Sequence, residues 1–157
     1  MLNLYFKPLN EKAKKPIQAH DTDAGWDLYS TEEIVVYPDK QCKASTGVAV
    51  QGSFADPKDA EKWKIEFKIE GTSGNAAKLG LQPIGGVVDQ EYIGEIGVIL
   101  INNTSDAVKI EPGKKIAQLV PLCIPKIKSV TYLGVNDEFE STSRGSAGFG
   151  STGTAVS

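Results

Sequence analysis

The chain has 157 residues, which fits a single domain with a sizeable hydrophobic core. It carries 17 Lys and Arg against 20 Asp and Glu, a net charge of −3. That balance excludes a protein whose main task is to wrap a nucleic-acid backbone, although it leaves room for a small phosphorylated ligand. A hydrophobic share of 40% excludes a disordered chain.

Most of the predicted elements are short β-strands, because apolar and polar residues alternate along them. The clearest is the segment 64–70, where Ile65, Phe67 and Ile69 alternate with charged residues and predict one buried face. The other predicted strands are Glu32–Tyr37, Thr46–Val50, Gly94–Ile101, Val108–Ile110 and Lys115–Leu122. Turn-forming residues separate these strands, so the sequence predicts an all-β sandwich, barrel or jelly roll.

Two segments predict short helices between the strands. Asp56–Trp63 begins with a capping aspartate followed by Pro57, which is typical of a helix start. Ala76–Gly80 predicts a second short helix that ends at Gly80.

The last part of the chain, residues 136–157, is rich in Gly, Ser and Thr. Such a composition buries too little apolar surface to offset the entropy of ordering. We therefore predict a β domain over residues 1–135, followed by a flexible C-terminal arm over residues 136–157.

Sequence features also bear on the cellular compartment. The longest purely apolar stretch, Val98–Ile101, is far too short to cross a bilayer, and the first residues lack the pattern of a secretory signal. Cys42 and Cys123 form no disulfide framework, and a single histidine, His20, argues against a zinc site. We expect a cytoplasmic protein without membrane contact.

Two polar clusters in the first half of the chain are candidate ligand sites. The segment Asp21–Leu28 holds three carboxylates, including Asp27, which can attract a divalent cation or simply form a polar turn. The segment Gly71–Lys78 places small polar residues before a helix start, a pattern that suits an anion site or an ordinary helix cap.

Two further clusters lie in the second half. In Gly85–Gly94, glycines flank an apolar pair that precedes Asp89, so the segment predicts a tight hairpin with a carboxylate available as a base. Its alternative is a hairpin turn capped by that aspartate. In Arg144–Gly153, glycines, hydroxyls and an arginine could bind a phosphate group, and Phe149 could lie over a flat ring. The segment lacks the lysine of a Walker loop.

These four segments and Gly113–Val120 resemble, in this order, the five motifs of the trimeric dUTPases, over residues 22–153. The resemblance implies a jelly-roll homotrimer whose active sites are shared between subunits and closed by the C-terminal arm. It also implies hydrolysis of dUTP to dUMP and pyrophosphate, with Mg²⁺ on the triphosphate. This activity limits uracil in DNA and supplies dUMP for dTMP synthesis.

The third motif carries the central roles in this resemblance. Asp89 matches the carboxylate that deprotonates a water for attack at the α-phosphorus. Tyr92 matches the residue that packs on the deoxyribose and excludes UTP. The hairpin around Gly86, Val87 and Val88 matches the strand pair whose main chain binds the uracil edge.

The first, second and fourth motifs imply contacts to the phosphates and the metal. Ser73 and Gly74 match the motif that contacts the phosphate chain, and Gln118 matches the side chain near the α-phosphate. Asp27 matches the acid that reaches the Mg²⁺ ion through water.

The arm supplies the fifth motif. Arg144, Ser151 and Thr152 match contacts to the γ-phosphate, while Phe149, followed by Gly150, matches the ring that stacks on uracil.

The chain also departs from the family pattern. Thr72 stands where the family usually has an arginine before the motif-two serine, and Lys78 is a candidate replacement for that charge. The segment 56–63 looks longer than the usual connection.

Two alternatives remain open from the sequence. The first is a dCTP deaminase, an activity found on related folds, although the 85–94 segment holds no obvious extra acid beyond Asp89 and Glu91. The second is a nucleotide-responsive regulatory protein that binds a partner through the segment 56–63.

Overall fold

The computed structural model describes residues 1–143. Within them the chain forms eleven strands and two short helices, which confirms the predicted all-β class. The strands are β1 (Leu2–Pro8), β2 (Trp26–Tyr29), β3 (Ile34–Val36), β4 (Gln41–Ser45), β5 (Val48–Phe54), β6 (Trp63–Glu70), β7 (Leu81–Ile84), β8 (Val87–Asp89), β9 (Gly97–Asn102), β10 (Val108–Ile110) and β11 (Lys115–Pro125). The helices are α1 (Pro57–Lys62) and α2 (Ser73–Leu79).

In this described part the strands form four antiparallel sheets. The largest has the order β2-β11-β6-β8, and a three-stranded sheet has the order β4-β9-β7. The pairs β1-β5 and β10-β3 make up the other two sheets. The arrangement is jelly-roll-like, and its sheets do not close into a barrel.

Strand β6 lies inside the largest sheet and carries much of the core. Its alternating pattern is confirmed, because Ile65, Phe67 and Ile69 are buried while Lys68, between the last two, is exposed. Full burial of a side chain such as Phe67 stabilises the fold by about 1.5–3 kcal/mol. The period-two pattern therefore also fixes the register of β6 against its neighbours.

Both helices are capped as the sequence predicts. In α1 the Asp56 side chain accepts a hydrogen bond from the Lys58 N–H at 2.9 Å, and no side chain of the helix is buried. Helix α2 begins at Ser73, earlier than predicted, because the Thr72 side chain accepts from the Asn75 N–H. Gly80 ends α2 at a φ of 62°, which a glycine adopts without strain.

The predicted hairpin around Gly85–Val88 is wrong. Strand β7 pairs with β9, whereas β8 pairs with β6, so the two glycines connect strands of different sheets. Gly85 has a φ of 63°, which lets the chain turn sharply between the sheets.

The chain divides into two compact units, and the first spans Met1–Lys126. In the second, residues 127–143 form no helix or strand, and the Gly134 N–H donates to the Asp137 carboxylate at 2.7 Å. In the part of the chain that is described, no helix is long and apolar enough to span a membrane.

The buried Asn102 joins the end of β9 to β3 and to the following turn. Its amide donates to the carbonyls of Val36 and Asp106, both at 2.8 Å. Its side-chain oxygen accepts from the N–H and the hydroxyl of Thr104. Asn102→Ala removes four hydrogen bonds from a fully buried position, including the one to the Val36 carbonyl, so we expect a loss of about 2–4 kcal/mol in the free energy of unfolding.

Urea denaturation at one fixed protein concentration measures this loss. The matched control is Asn103→Ala, which removes only an exposed hydrogen bond of 3.4 Å to the Gly80 carbonyl. Equal stabilities of the two variants would contradict the role assigned to Asn102.

Candidate active site

Just before β8, the backbone of Gly86 lies close to the backbone of Ile69 in β6. The Ile69 N–H donates to the Gly86 carbonyl at 2.6 Å. A Cβ atom at Gly86 would lie 2.4 Å from the Ile69 carbonyl oxygen, so only glycine fits without moving the main chain. This contact brings the residues after Gly86 into register with β6.

Four of the predicted site residues line one cavity of about 360 Å³: Val87, Val88, Asp89 and Tyr92. This volume lies within the range of small-molecule sites. Val87, which looks like a core residue in the sequence, is 60% exposed, so it lines the cavity rather than the core. Another cavity, of about 420 Å³ and lined in part by β1, contains none of the predicted site residues.

Asp89 lies at the end of β8, opposite Glu66 of β6, with its side chain exposed. The next residue anchors it, because the Gln90 side-chain oxygen accepts from the Ile65 N–H at 2.8 Å. The Tyr92 N–H donates to the Asp89 carbonyl and closes a turn. Asp89 is therefore accessible to water while its backbone is held at both sides.

Tyr92 folds back over the chain that follows it. Its hydroxyl donates to the Glu95 carbonyl at 2.9 Å. A Cβ atom at Gly94 would lie 2.5 Å from that hydroxyl oxygen, so the ring reaches this position because residue 94 has no side chain.

Glu95 lines the same cavity, although it belongs to none of the four polar clusters predicted from the sequence. Its carboxylate accepts hydrogen bonds from the Ser45 hydroxyl and from the Gly47 N–H. The Ser45 hydrogen bond is the main reason why the pKa of Glu95 lies below its ordinary value. A pattern search over neighbouring residues could not find this contact, because the partners are 48 and 50 positions away.

A second group of predicted residues lies at β2 and β11. Asp27 of β2 pairs with Gln118 of β11, and the Gln118 amide donates to the Gly71 carbonyl at 3.2 Å. The Asp27 carboxylate forms an ion pair of 3.1 Å with Lys115, which is not among the predicted site residues. Burial and, next, the Asp27 charge raise the pKa of Tyr29.

Helix α2 places Ser73 and Gly74 next to this second group. The Asn75 amide donates to the Lys115 carbonyl at 3.0 Å, where β11 bulges against β2. Ser73 is exposed in the first turn, and a Cβ atom at Gly74 would have no neighbour within 4 Å. The surface over these two residues is open to a ligand.

The two groups are separated within one chain. Strand β6 pairs Glu66 with Asp89 on one side and Glu70 with Gln118 on the other. The segment from Glu66 to Glu70 spans about 14 Å of extended strand. The structure therefore brings together the residues of each group but not the two groups.

The remaining predicted residues, Arg144, Phe149, Gly150, Ser151 and Thr152, lie outside the described residues. Lys78, the candidate replacement for the missing arginine, lies in the last turn of α2, at the opposite end from Ser73.

The residues fit a magnesium ion held mainly by a substrate. Among residues 1–143, no group of three or more His, Cys, Asp or Glu side chains could hold a metal by itself. Mg²⁺ usually keeps several waters and binds one or two carboxylates together with substrate phosphates. The single carboxylate of Asp27, whose side chain is 17% exposed, suits such a water-mediated contact.

Comparison with known proteins identifies clear relatives. The profile of the dUTPase family matches residues 11–153. The deoxyuridine 5′-triphosphate nucleotidohydrolase of Clostridium novyi (strain NT) is 42% identical over 156 residues, which cover 97% of this chain and 99% of the relative.

Solved structures agree with this match. The Staphylococcus bacteriophage 80alpha dUTPase with dUPNHPP has a TM-score of 0.78 and 28% identity, covering 97% of this chain and 99% of that one. A mutant dUTPase from phage phi11 of S. aureus, whose structure reveals the coordination of a structural Mg(II) ion, has a TM-score of 0.70 and 26% identity. It covers 88% of this chain and 99% of its own.

The lowered pKa of Glu95 predicts a pH-dependent contribution to stability. Because the folded-state pKa lies below the ordinary value of 4.5, the carboxylate stabilises the fold fully above about pH 4.5. The contribution is lost as the pH falls through the lower, folded-state pKa. Glu95→Gln lacks this titration, so the stability difference between the parent protein and the variant should shrink on acidification below pH 4.5.

Urea unfolding of both proteins between neutral and acidic pH measures this difference. A difference that stays constant across the whole range would show that Glu95 does not titrate as its hydrogen bonds require.

Proposed function

Since the chain belongs to the dUTPase family, whose members hydrolyse dUTP to dUMP, we propose that it performs this reaction by water attack at the α-phosphorus. The observation that carries the proposal is the cavity shared by Val87, Val88, Asp89 and Tyr92. It combines an open main-chain edge, an aromatic ring and an accessible carboxylate. The products are dUMP and pyrophosphate.

The main chain of β8 recognises the uracil ring. Strand β8 lies at the edge of the order β2-β11-β6-β8, so one row of its backbone N–H and C=O groups faces away from β6. These groups pair with the alternating acceptors and donor of uracil. Cytosine presents a different pattern and leaves backbone groups unpaired, which costs binding energy.

Tyr92 selects the sugar. Its ring lies in the same cavity as Asp89 and is held at its hydroxyl by the Glu95 carbonyl. A ring packed on the deoxyribose leaves no space for a 2′-hydroxyl, so UTP is excluded.

Asp89 acts as the general base. Its exposed carboxylate takes a proton from a water molecule as that water attacks the α-phosphorus. The fixed backbone on both sides of Asp89 holds the base in one position, so little reorganisation is needed during reaction. Pyrophosphate leaves as the bond between the α-phosphorus and the bridging oxygen breaks.

The second group of residues binds the phosphates. The proposal assigns Ser73, Gly74 and Gln118 to the phosphate chain and Asp27 to a water-mediated contact with Mg²⁺. When bound, the ion offsets the negative charge of the triphosphate.

The separation of the two groups supports a shared site. Asp89 and Gln118 lie opposite positions of β6 that are about 14 Å apart. A complete site then needs one group from one chain and the second group from a neighbouring copy. A homotrimer with three such interfaces meets this requirement with closed symmetry.

The proposal also gives a role to the arm, residues 136–157. Arg144, Ser151 and Thr152 bind the γ-phosphate, and Phe149 and Gly150 cover the uracil ring. Binding of the nucleotide then supplies the free energy that the composition of the arm lacks.

Hydrolysis is favoured over deamination of dCTP. The relatives that cover nearly the whole chain are nucleotidohydrolases. Helix α1, which motivates the regulatory alternative, has no buried side chain and contributes no residue to the cavity.

Substitution of the base tests the mechanism. Asp89→Asn keeps the shape of the side chain but removes the proton acceptor, so dUTP turnover should fall about 10²–10⁴-fold. Pyrophosphate release measures turnover, and binding of a non-hydrolysable dUTP analogue should change little.

The matched control is Asp39→Asn, at an exposed turn residue with a φ of 53°, which asparagine also adopts. Normal turnover by Asp89→Asn would remove this residue from the mechanism.

Substitution of the ring tests sugar selection. Tyr92→Ala opens space beside the deoxyribose, so the ratio of kcat/KM for UTP to that for dUTP should rise by about 10–100-fold. The control is Tyr37→Ala, which truncates a tyrosine that is 62% exposed and lies outside the cavity. An unchanged ratio in Tyr92→Ala would contradict the assignment.

A further inference from the structure

We propose that Glu95 is a positioning residue that holds the Tyr92 ring in place, with its carboxylate bound to the β4–β5 turn and its carbonyl bound to the tyrosine hydroxyl. This inference rests on the proposed function, in which Tyr92 selects the deoxyribose. It adds a residue that acts on selectivity through Tyr92.

The carboxylate end of Glu95 is fixed by two donors. The Ser45 hydroxyl and the Gly47 N–H both donate to the same carboxylate oxygen, the latter at 2.7 Å. Hydrogen bonds to a charged acceptor are stronger than neutral ones. Gly47 has a φ of 66°, a left-handed turn conformation that aims its N–H at the carboxylate.

The backbone beside Glu95 is attached to the same turn. The buried Thr46 hydroxyl donates to the Ile96 carbonyl at 2.6 Å. The Ile96 N–H donates to the Val48 carbonyl at 2.8 Å. Glu95 is thus fastened through both its side chain and its neighbour to residues 45–48, so its carbonyl has a defined position.

Tyr92 depends on that carbonyl. The hydroxyl donates to it at 2.9 Å, and Tyr92 as a residue is 47% exposed. Because the residue is this exposed, packing alone holds its side chain weakly. The hydrogen bond to Glu95 supplies the missing restraint, and the space above Gly94 permits it.

Loss of the carboxylate should therefore loosen the ring without removing it. Glu95→Ala deletes the anchor, so UTP gains access and the selectivity for dUTP over UTP, measured as a ratio of kcat/KM values, should fall about tenfold. The dUTP reaction should lose mainly in KM, because Asp89 keeps its own anchor through Gln90.

The conservative variant and a matched control sharpen this test. Glu95→Gln keeps an acceptor for Ser45 and Gly47 and should retain the selectivity of the parent protein. Glu91→Ala truncates an exposed glutamate of the same loop and should also leave the ratio unchanged. Ser45→Ala removes one of the two donors and serves as a milder variant if Glu95→Ala does not fold.

A double-mutant cycle separates action through Tyr92 from a general structural effect. Tyr92→Phe removes the hydroxyl but keeps the ring. If Glu95 acts through that hydroxyl, Glu95→Ala should change the selectivity little in the Tyr92→Phe background. Additive effects of the two substitutions, or equal losses for dUTP and UTP, would overturn the proposal.

A second readout needs no substrate. With 3-fluorotyrosine at position 92, the ¹⁹F resonance of the parent protein and of Glu95→Gln should coincide. In Glu95→Ala it should move towards the shift of the free amino acid. An unmoved resonance overturns the proposal for Glu95, whereas absence of pyrophosphate release by the parent protein overturns the proposed function and leaves this readout valid.

Discussion

The pairing of β6 with a strand on each side is the constraint on which the candidate site depends. Ile65, Phe67 and Ile69 are buried on one face, so a shift of one residue would turn all three towards solvent. This penalty fixes the register of β6, and β6 in turn fixes Asp89 on one side and Gln118 on the other. Core packing therefore determines where the residues of the candidate site lie.

Local sequence patterns predicted the elements whose formation depends on neighbouring residues. The alternation in β6 and the caps at Asp56 and Gly80 involve neighbouring residues, and the structure confirms all three. Strand β1 is not among the predicted strands, although Leu2, Leu4 and Phe6 alternate with polar or exposed residues along it. The pairing of β7 and β8 with different sheets had no local signal, because a glycine pair is typical of hairpins and of sheet crossings alike.

The candidate site shows the same limit. The motifs predicted Asp89 and Tyr92 as site residues, because a carboxylate and an aromatic ring at fixed spacing can be read directly, and the structure places both in one cavity. They did not reveal Glu95 or Lys115, which contact Ser45 and Asp27, residues far away in the sequence. Contacts of this kind form only when distant segments meet in the folded chain, so a single sequence carries little information about them.

In the proposed shared site, Asp89 comes from one chain and Gln118 from another. Mixed trimers of Asp89→Asn and Gln118→Ala chains, purified through a different tag on each variant, test it most directly. If the site is shared, every mixed trimer regains one intact site, and about one third of the parent activity should return. Activity no higher than that of the two separate variants, in trimers shown to contain both chains, would contradict the account.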